Sequence, residues 1–138
     1  GDDWTEVVGR DLRGVDVDLA DFSDTAPTLA AVAAVADSPT RVRGIGFVRG
    51  KESDRIGGVI TELGRLGVDA TEHDDGFTIY PGRVRPEVVR TYADHRMAMA
   101  FSLLGVVSDG VAIADPGCVA KTFPGFWGVL ESVRAGAE

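Results

Sequence analysis

Apolar residues recur along the chain with two different spacings, and these spacings predict its secondary structure. Between Val15 and Leu19 apolar and acidic residues alternate, which is typical of a half-buried strand. From Glu52 to Leu66 apolar residues recur with helical spacing, which predicts an amphipathic helix that Gly67 ends. The same reasoning predicts the remaining elements: a helix at Thr25–Ala36, a strand at Thr40–Phe47, a hairpin formed by Val68–Glu72 and Phe77–Tyr80, a strand near Val88–Thr91, a helix at Asp94–Ser108, a strand at Val111–Ala114 and a helix at Pro124–Arg134.

The predicted elements contain an internal repeat. Asp24 and Lys51 lie 27 positions apart, and so do Asp94 and Lys121. Each pair brackets a helix, a strand and the beginning of a second helix. We therefore predict an α+β fold of repeated β-α-β-α-β-β units, with one full unit at about residues 12–82 and most of a second at about 83–138.

The second unit lacks its last two strands in this pattern. Because an unpaired sheet edge is a liability, we expect those strands to come from elsewhere in a longer protein. The chain also begins at Gly1 rather than at a methionine, which fits a processed or excised piece. Residues 1–138 would then form a single domain or a part of one.

Composition narrows the class of protein. A length of 138 residues with 44% hydrophobic residues suits one domain with a real core. We expect a cytoplasmic location, because no apolar run is long enough to span a membrane, no signal peptide opens the chain and Cys118 is the only cysteine. The net charge of -8 argues against nucleic acid as a partner. No metal site is expected, since there is one cysteine and no His/Glu pair at ligand spacing.

Cations stand where helices begin, although the chain is acidic overall. Lys51 and Lys121 are its only two lysines, and each precedes a predicted helix. A cation at this end opposes the helix dipole at a cost of about 0.3–1 kcal/mol. Helix N-termini and nearby cations both attract anions. This placement predicts a site for anionic groups such as phosphate and carboxylate.

Glu52 and Arg55 extend the apolar stripe of their predicted helix toward its N-terminus, because they lie one turn before Ile56 and Val59 respectively. A surface ion pair between them would have the same spacing and contribute only about 0.3–0.5 kcal/mol. Together with Lys51, however, the two residues favour a site on the core side of the helix.

The helix predicted to begin at Asp94 is almost entirely apolar after its first turn, so we expect it to be buried on most sides. Arg96 would then point into a crevice or cap an interface. His95 is either a proton donor or a packed, hydrogen-bonded imidazole. Asp94 is expected to be the N-cap. Asp24 is either the N-cap of the alanine-rich helix or, by the repeat, part of the same site.

If the repeat sets the geometry, one cleft gathers all of these side chains: Asp24, Lys51, Glu52, Arg55, His95, Arg96 and Lys121. Two carboxylates among several cations make a general acid/base arrangement beside bound anions.

Three motifs carry a resemblance to a known family. They are Lys51–Arg55 (Lys-Glu-Ser-Asp-Arg), Asp94–Ala100 (Asp-His-Arg-Met-Ala-Met-Ala) and Asp115–Pro124 (Asp-Pro-Gly-Cys-Val-Ala-Lys-Thr-Phe-Pro). With their spacing, they resemble the 5-enolpyruvylshikimate-3-phosphate synthases, the 3-phosphoshikimate 1-carboxyvinyltransferases of the shikimate pathway. The resemblance runs from about Asp16 to Trp127 and corresponds to the C-terminal third of those enzymes. It implies a fold of repeated units in an inside-out α/β barrel, with two domains that close over the substrates.

The resemblance also implies an activity and roles for the site residues. The family transfers the enolpyruvyl group of phosphoenolpyruvate to the 5-hydroxyl of shikimate-3-phosphate and releases phosphate, without metal or organic cofactor. Asp24 would contact the shikimate hydroxyls, Lys51 would bind shikimate-3-phosphate, and Glu52 would transfer a proton at the methylene carbon of phosphoenolpyruvate. The remaining residues would hold the phosphate and carboxylate of phosphoenolpyruvate or line the site: Arg55, Arg96, Lys121 and His95.

The chain departs from the family at Phe47, where an asparagine that contacts shikimate is common, and it lacks the contacts that the family's other domain supplies. Its partners would therefore be the two substrates and the missing N-terminal portion, and the isolated chain is expected to be inactive. Two alternatives remain. One is a UDP-sugar enolpyruvyl transferase, and the other is a non-catalytic phosphate-binding fragment that needs a partner.

Overall fold

Two parallel strand–helix–strand connections organise the fold of the computed structural model, which describes residues 3–136. The first joins β1 to β2 through α1, and the second joins β5 to β6 through α3 and α4. The strands are β1 (Asp16–Asp18), β2 (Thr40–Arg43), β3 (Asp69–His73), β4 (Gly76–Tyr80), β5 (Glu87–Val89) and β6 (Val111–Ile113). The helices are α1 (Ala26–Ala33), α2 (Arg55–Arg65), α3 (His95–Ser102), α4 (Leu104–Val107) and α5 (Phe126–Ala135), with 3-10 turns at Ala20–Thr25, Gly46–Gly50 and Pro116–Lys121.

The strands form two sheets. Four of them pair in the order β1-β2-β4-β3, in which β1 is parallel to β2 and β4 is antiparallel to both of its neighbours. The predicted hairpin is confirmed, since β3 and β4 meet at a two-residue turn closed by His73 opposite Gly76. Strands β5 and β6 form a separate parallel pair. The mixture of helices and strands confirms the α+β class.

The core lies between the four-stranded sheet and three helices. On the sheet, Val42 is opposite Phe77, and both side chains are fully buried. Helix α2 packs against β3 and β4 with its predicted apolar stripe, of which Val59 and Leu63 are wholly buried. Helix α1 packs against α3 with small side chains, which lets the two helices approach closely. This packing holds the first turns of α2 and α3 next to each other.

The last two helices expose apolar side chains. Helix α5 has no buried residue, and Val129 and Val133 are 48% and 67% exposed. On α4, Val107 is 64% exposed. Within the described part of the chain, no helix is both long enough and apolar enough to cross a membrane.

Several predicted boundaries were wrong. The strand expected at Thr40–Phe47 ends at Arg43, because Gly44 has φ of 78° and a 3-10 turn follows. The helix expected from Glu52 begins only at Arg55, because Asp54 is its N-cap and accepts hydrogen bonds from the first backbone N–H groups. Glu52 therefore lies in the loop before α2.

The other helices are shorter than predicted as well. The helix expected at Asp94–Ser108 is divided at Leu103 into α3 and α4. The alanine-rich helix ends at Ala33, and its first predicted residue, Thr25, still belongs to the preceding 3-10 turn. The last helix begins at Phe126 rather than at Pro124.

Candidate active site

The structure brings the seven predicted side chains together at one cleft of about 230 Å³. Its lining consists of the predicted residues and one more: Asp24, Lys51, Glu52, Arg55, His95, Arg96, Lys121 and Thr122. These residues lie in the segments that follow β1, β2, β5 and β6. Because the strands of each parallel pair run in the same direction, the segments after them converge at one edge. The expected convergence is confirmed.

Arg55 is at the centre of the cleft and is only 2% exposed. Its Nε donates to Asp94 (2.9 Å), its Nη1 to Asp24 (2.8 Å) and its Nη2 to Glu52 (2.9 Å). Burial acts to lower the pKa of Arg55, but the hydrogen bond and charge of Asp94, with the charges of Glu52 and Asp24, raise it above its ordinary value. The ion pair with Glu52 exists, but its arginine is buried rather than on the surface.

Asp94 is the buried partner in this network, with a side chain that is 0% exposed. Its carboxylate accepts from the backbone N–H of Arg96 (2.9 Å), so its predicted role as N-cap of α3 is confirmed. It also accepts from the Ser53 hydroxyl at 2.8 Å. Burial acts to raise its pKa, and the hydrogen bonds from Arg55, Ser53 and Arg96 more than compensate, so the pKa is lowered. Sequence reasoning missed that the cap also binds Arg55.

Glu52 is held by a second cation. Lys121 Nζ lies 2.8 Å from Glu52 Oε1, while Arg55 contacts the other carboxylate oxygen. The hydrogen bond from Lys121 is the main cause that lowers the pKa of Glu52 to about 2. In this structure Glu52 is therefore a charged carboxylate at neutral pH.

Asp24 joins the two arginines of the cleft. Its Oδ1 contacts Arg55 at 2.8 Å, and its Oδ2 lies 2.9 Å from Arg96 Nη2. The alternative in which Asp24 caps the alanine-rich helix is wrong, because the residue before α1 is Thr25 and no side chain caps that helix. Asp24 is 48% exposed and opens to the cleft.

Lys51 and His95 complete the lining. Lys51 is exposed, and within residues 3–136 its ammonium makes no hydrogen bond or ion pair. His95 is only 3% exposed, and its Nδ1 is buried without a hydrogen-bond partner in the described part of the chain. Of the two interpretations of His95, the packed and hydrogen-bonded imidazole is therefore not seen at Nδ1. Residues 3–136 contain no group of three or more His, Cys, Asp or Glu side chains placed to hold a metal ion.

Fold and cleft together define the class: an α+β protein in which the segments after four strands gather four cations and three carboxylates at one edge. The family model for EPSP synthase (3-phosphoshikimate 1-carboxyvinyltransferase) matches residues 1–130. The chain belongs to the EPSP synthase family.

Curated relatives and solved structures agree with this assignment. The 3-phosphoshikimate 1-carboxyvinyltransferase of Nostoc punctiforme is 50% identical over 127 residues, which is 91% of this chain and 30% of that protein. The chloroplastic one of Brassica napus is 47% identical over 125 residues, 90% of this chain and 24% of that protein. The EPSP synthase structure from Acinetobacter baumannii superposes with a TM-score of 0.80 at 30% identity, over 88% of this chain and 30% of that one. The chain thus spans about 30% of the length of the first of these relatives.

Proposed function

We propose that this chain supplies part of the active site for carboxyvinyl transfer from phosphoenolpyruvate to the 5-hydroxyl of shikimate-3-phosphate, with release of phosphate. The observation that carries the proposal is the convergence of four cations, Asp24 and Glu52 on one cleft. The names of the matching relatives support the same reaction. The product would serve the synthesis of aromatic amino acids.

The reaction joins the substrate hydroxyl to the enol carbon and then eliminates phosphate. In the first step the hydroxyl loses a proton and the methylene carbon gains one, which makes it a methyl group. In the second step that methyl group loses a proton as the phosphate leaves. We assign the proton from the hydroxyl to Asp24 and the exchange at the methylene carbon to Glu52. Glu52 must then be protonated when phosphoenolpyruvate is bound. It gives its proton to the methylene carbon in the first step and takes one back from the methyl group in the second, while the proton taken up by Asp24 leaves with the phosphate.

The anionic groups of the substrates would be held by the cations. Lys51 has no bonded partner in the described part of the chain and is exposed, so we assign it the phosphate of shikimate-3-phosphate. Arg96 and Lys121 each have one carboxylate partner and would bind phosphoenolpyruvate. Arg55 makes four hydrogen bonds to three carboxylates, so it would contact phosphoenolpyruvate only after one carboxylate has moved away.

The rest of the active site would come from the missing portion of the enzyme. The relatives are much longer than this chain, and a reaction of this kind needs a cleft that closes and excludes water. We propose that residues 12–82 and 83–138 are two units of a barrel-like domain built from repeats, and that the other domain closes over the cleft. The isolated chain should then show no turnover.

The proposal is tested with a chimeric enzyme. Residues 1–130 replace the matching segment of the Nostoc punctiforme protein, and phosphate release is measured with both substrates present. We expect turnover that requires both substrates. A folded chimera that binds neither substrate would overturn the proposal, as would turnover by the 138-residue chain alone, freed of host enzyme.

A binding experiment tests the cleft in the chain itself. In a titration with inorganic phosphate, amide NMR shifts should concentrate at residues 51–55, 94–97 and 119–123. Lys121→Met should weaken the binding, because it removes one cation from the cleft. Arg83→Met, which removes an exposed cation outside the cleft, is the matched control and should change nothing. Shifts confined to residues 83–90 would reject the site.

A further inference from the structure

A strained turn stands directly before the first residues of α3. Tyr92 and Ala93 both have φ of 55°, and they are the only residues other than glycine with positive φ in the described chain. The backbone N–H of Asp94 donates to the carbonyl of Thr91 at 2.9 Å, which closes a four-residue turn. Turns with two left-handed residues prefer glycine, asparagine or aspartate, because a Cβ is unfavourable there. Something outside the turn must hold this conformation.

Glu62 makes the contacts that hold it. The Glu62 side chain is fully buried in α2. Its Oε1 accepts from the Tyr92 hydroxyl at 2.6 Å, and its Oε2 accepts from the backbone N–H of Arg90 at 3.0 Å. Arg65 neutralises the carboxylate at 2.6 Å and also contacts Glu87 at 3.0 Å. One buried carboxylate thus binds the chain both within the turn and before it.

The Tyr92 hydroxyl is the donor in its hydrogen bond with Glu62. Burial and the hydrogen bond to Glu62 raise the pKa of Tyr92 to about 12, so its hydroxyl stays protonated. The Tyr92 ring lies against Gly58 of α2, where an added Cβ would come within 3.5 Å of the ring. This distance is ordinary van der Waals contact, so the ring packs directly against α2 at Gly58.

Arg55, Gly58 and Glu62 occupy positions i, i+3 and i+7 of α2, so they form one stripe along that helix. The stripe contacts the segment 90–94 at both ends, through Glu62 to Tyr92 and through Arg55 to Asp94. Asp94 in turn caps α3 and fixes the backbone of Arg96. The orientation of the Arg96 side chain in the cleft therefore depends on the path of the turn.

We propose that Glu62 is a positioning residue, which holds the Thr91–Asp94 turn in its left-handed conformation and thereby sets the beginning of α3 in the cleft. The role of that cleft rests on the proposed function. Glu62 does not line the cleft itself and acts only through the turn.

The test compares three variants of the 138-residue chain. Glu62→Gln removes the negative charge of the carboxylate that accepts hydrogen bonds from Arg90 and Tyr92. Tyr92→Phe removes only the hydroxyl that donates to Glu62, and it tests the same contact if Glu62→Gln does not fold. Glu87→Gln is the matched control, because Glu87 shares Arg65 with Glu62 but does not contact the turn. Hydrogen exchange of the Arg96 amide, which donates to Asp94, reports the turn without ligand. The amides of β4 report global stability, and the affinity for inorganic phosphate reports the cleft.

We expect Arg96 exchange to become about 10-fold to 100-fold faster in both test variants, the range for losing a hydrogen bond to a charged acceptor. The amides of β4 should not be accelerated to the same extent, which would show that the change is local to the turn. The affinity for inorganic phosphate should fall in the same variants. Adding Ala93→Gly should restore part of both, because glycine adopts positive φ without strain. The control should leave both measurements unchanged.

Two results would overturn the inference: equal acceleration at Arg96 and in β4, which marks general destabilisation, or normal Arg96 exchange in Tyr92→Phe. Absence of phosphate binding by the unmodified chain would instead refute the proposed site, and the exchange measurement would still decide the role of Glu62. If Ala93→Gly restores slow Arg96 exchange and phosphate affinity, Glu62 acts by holding the turn. A role of Glu62 in general stability alone would predict no such restoration.

Discussion

Replacement of Arg55 by methionine tests the electrostatic organisation of the cleft most directly. Methionine keeps the length and much of the volume of the arginine but cannot bind a carboxylate. Arg96→Met is the matched control, since Arg96 is 37% exposed and has a single carboxylate partner, Asp24. The two variants remove the same charge from neighbouring positions in one cleft.

The expected loss in Arg55→Met comes mainly from Asp94. Its side chain is 0% exposed, and removal of one partner from a buried ion pair costs about 3–5 kcal/mol. Asp24 and Glu52 are 48% and 32% exposed, so each adds at most about 1 kcal/mol. The Ser53 hydroxyl still donates to Asp94 and offsets part of the loss. We expect a decrease of about 3–4 kcal/mol in the free energy of unfolding.

Denaturant unfolding near neutral pH measures the difference. For Arg96→Met we expect a loss within about 1 kcal/mol, the range for exposed pairs. Equal losses in the two variants, or a loss below about 1 kcal/mol in Arg55→Met, would refute the view that Arg55 neutralises a buried carboxylate.

The pH dependence gives an independent check on Arg55→Met. In the unmodified chain the pKa of Asp94 is lowered, so its stabilisation is present above the ordinary value of 3.8 and is lost as pH falls. Without Arg55, burial raises the pKa of Asp94, and protonation then removes the unpaired charge. The deficit of the variant should therefore shrink between about pH 7 and about pH 4, and a constant deficit would contradict this cause.

Three further predictions concern the cleft. In the chimeric enzyme, Glu52→Gln should lower kcat by about 10²–10⁴-fold with little change in the affinity for shikimate-3-phosphate, and near-normal turnover would remove Glu52 from the mechanism. In the chain, Lys121→Met should raise the pKa of Glu52 from about 2 toward 4.5, measured by carbon-13 NMR titration, and an unchanged midpoint would contradict the ion pair. The stabilisation from that pair is present above about pH 4.5 and is lost as pH falls toward about 2. Arg96→Lys in the chimera should lose about 1–3 kcal/mol of transition-state stabilisation, measured as kcat/KM, because lysine lacks the planar fork.

Periodic apolar patterns predicted the elements of this fold well. The stripe on α2 gave its buried face, because Val59 and Leu63 repeat with helical spacing and both are wholly buried. The hairpin followed from two short apolar strands on either side of an Asp-Asp-Gly turn. These are local signals, and local chemistry decides such elements.

The site was predictable for a different reason. The equal spacing of Asp24 to Lys51 and of Asp94 to Lys121 indicated that one supersecondary arrangement occurs twice. Similar connections put equivalent residues at the same edge, so their convergence followed without any knowledge of contacts. The family resemblance implied a role for each of these residues, and the structure shows how they are arranged around the cleft.

Long-range polar contacts were not predictable from the pattern. Asp94 lies 39 positions from Arg55, and Tyr92 lies 30 positions from Glu62. On a helical wheel Glu62 lies among apolar neighbours, but its position in the sequence does not indicate that Tyr92 is its hydrogen-bond partner. The left-handed turn was also missed, because Tyr-Ala is not a composition that favours positive φ. The one overlooked local signal was Asp54, an N-cap that places the beginning of α2 after Glu52.

Without a ligand, the charges of the cleft are paired with one another. Asp24, Glu52 and the buried Asp94 hold three of the four cations, and in residues 3–136 Lys51 makes no bond of this kind. Under the proposed function, an incoming phosphate group would reach Lys51 without competition and Lys121 only in competition with Glu52. When the phosphate takes Lys121, Glu52 loses the main cause of its low pKa. The same exchange of partners would then bind the anion and let Glu52 hold the proton that the methylene carbon requires, so that proton transfer becomes available only when the donor substrate is in place.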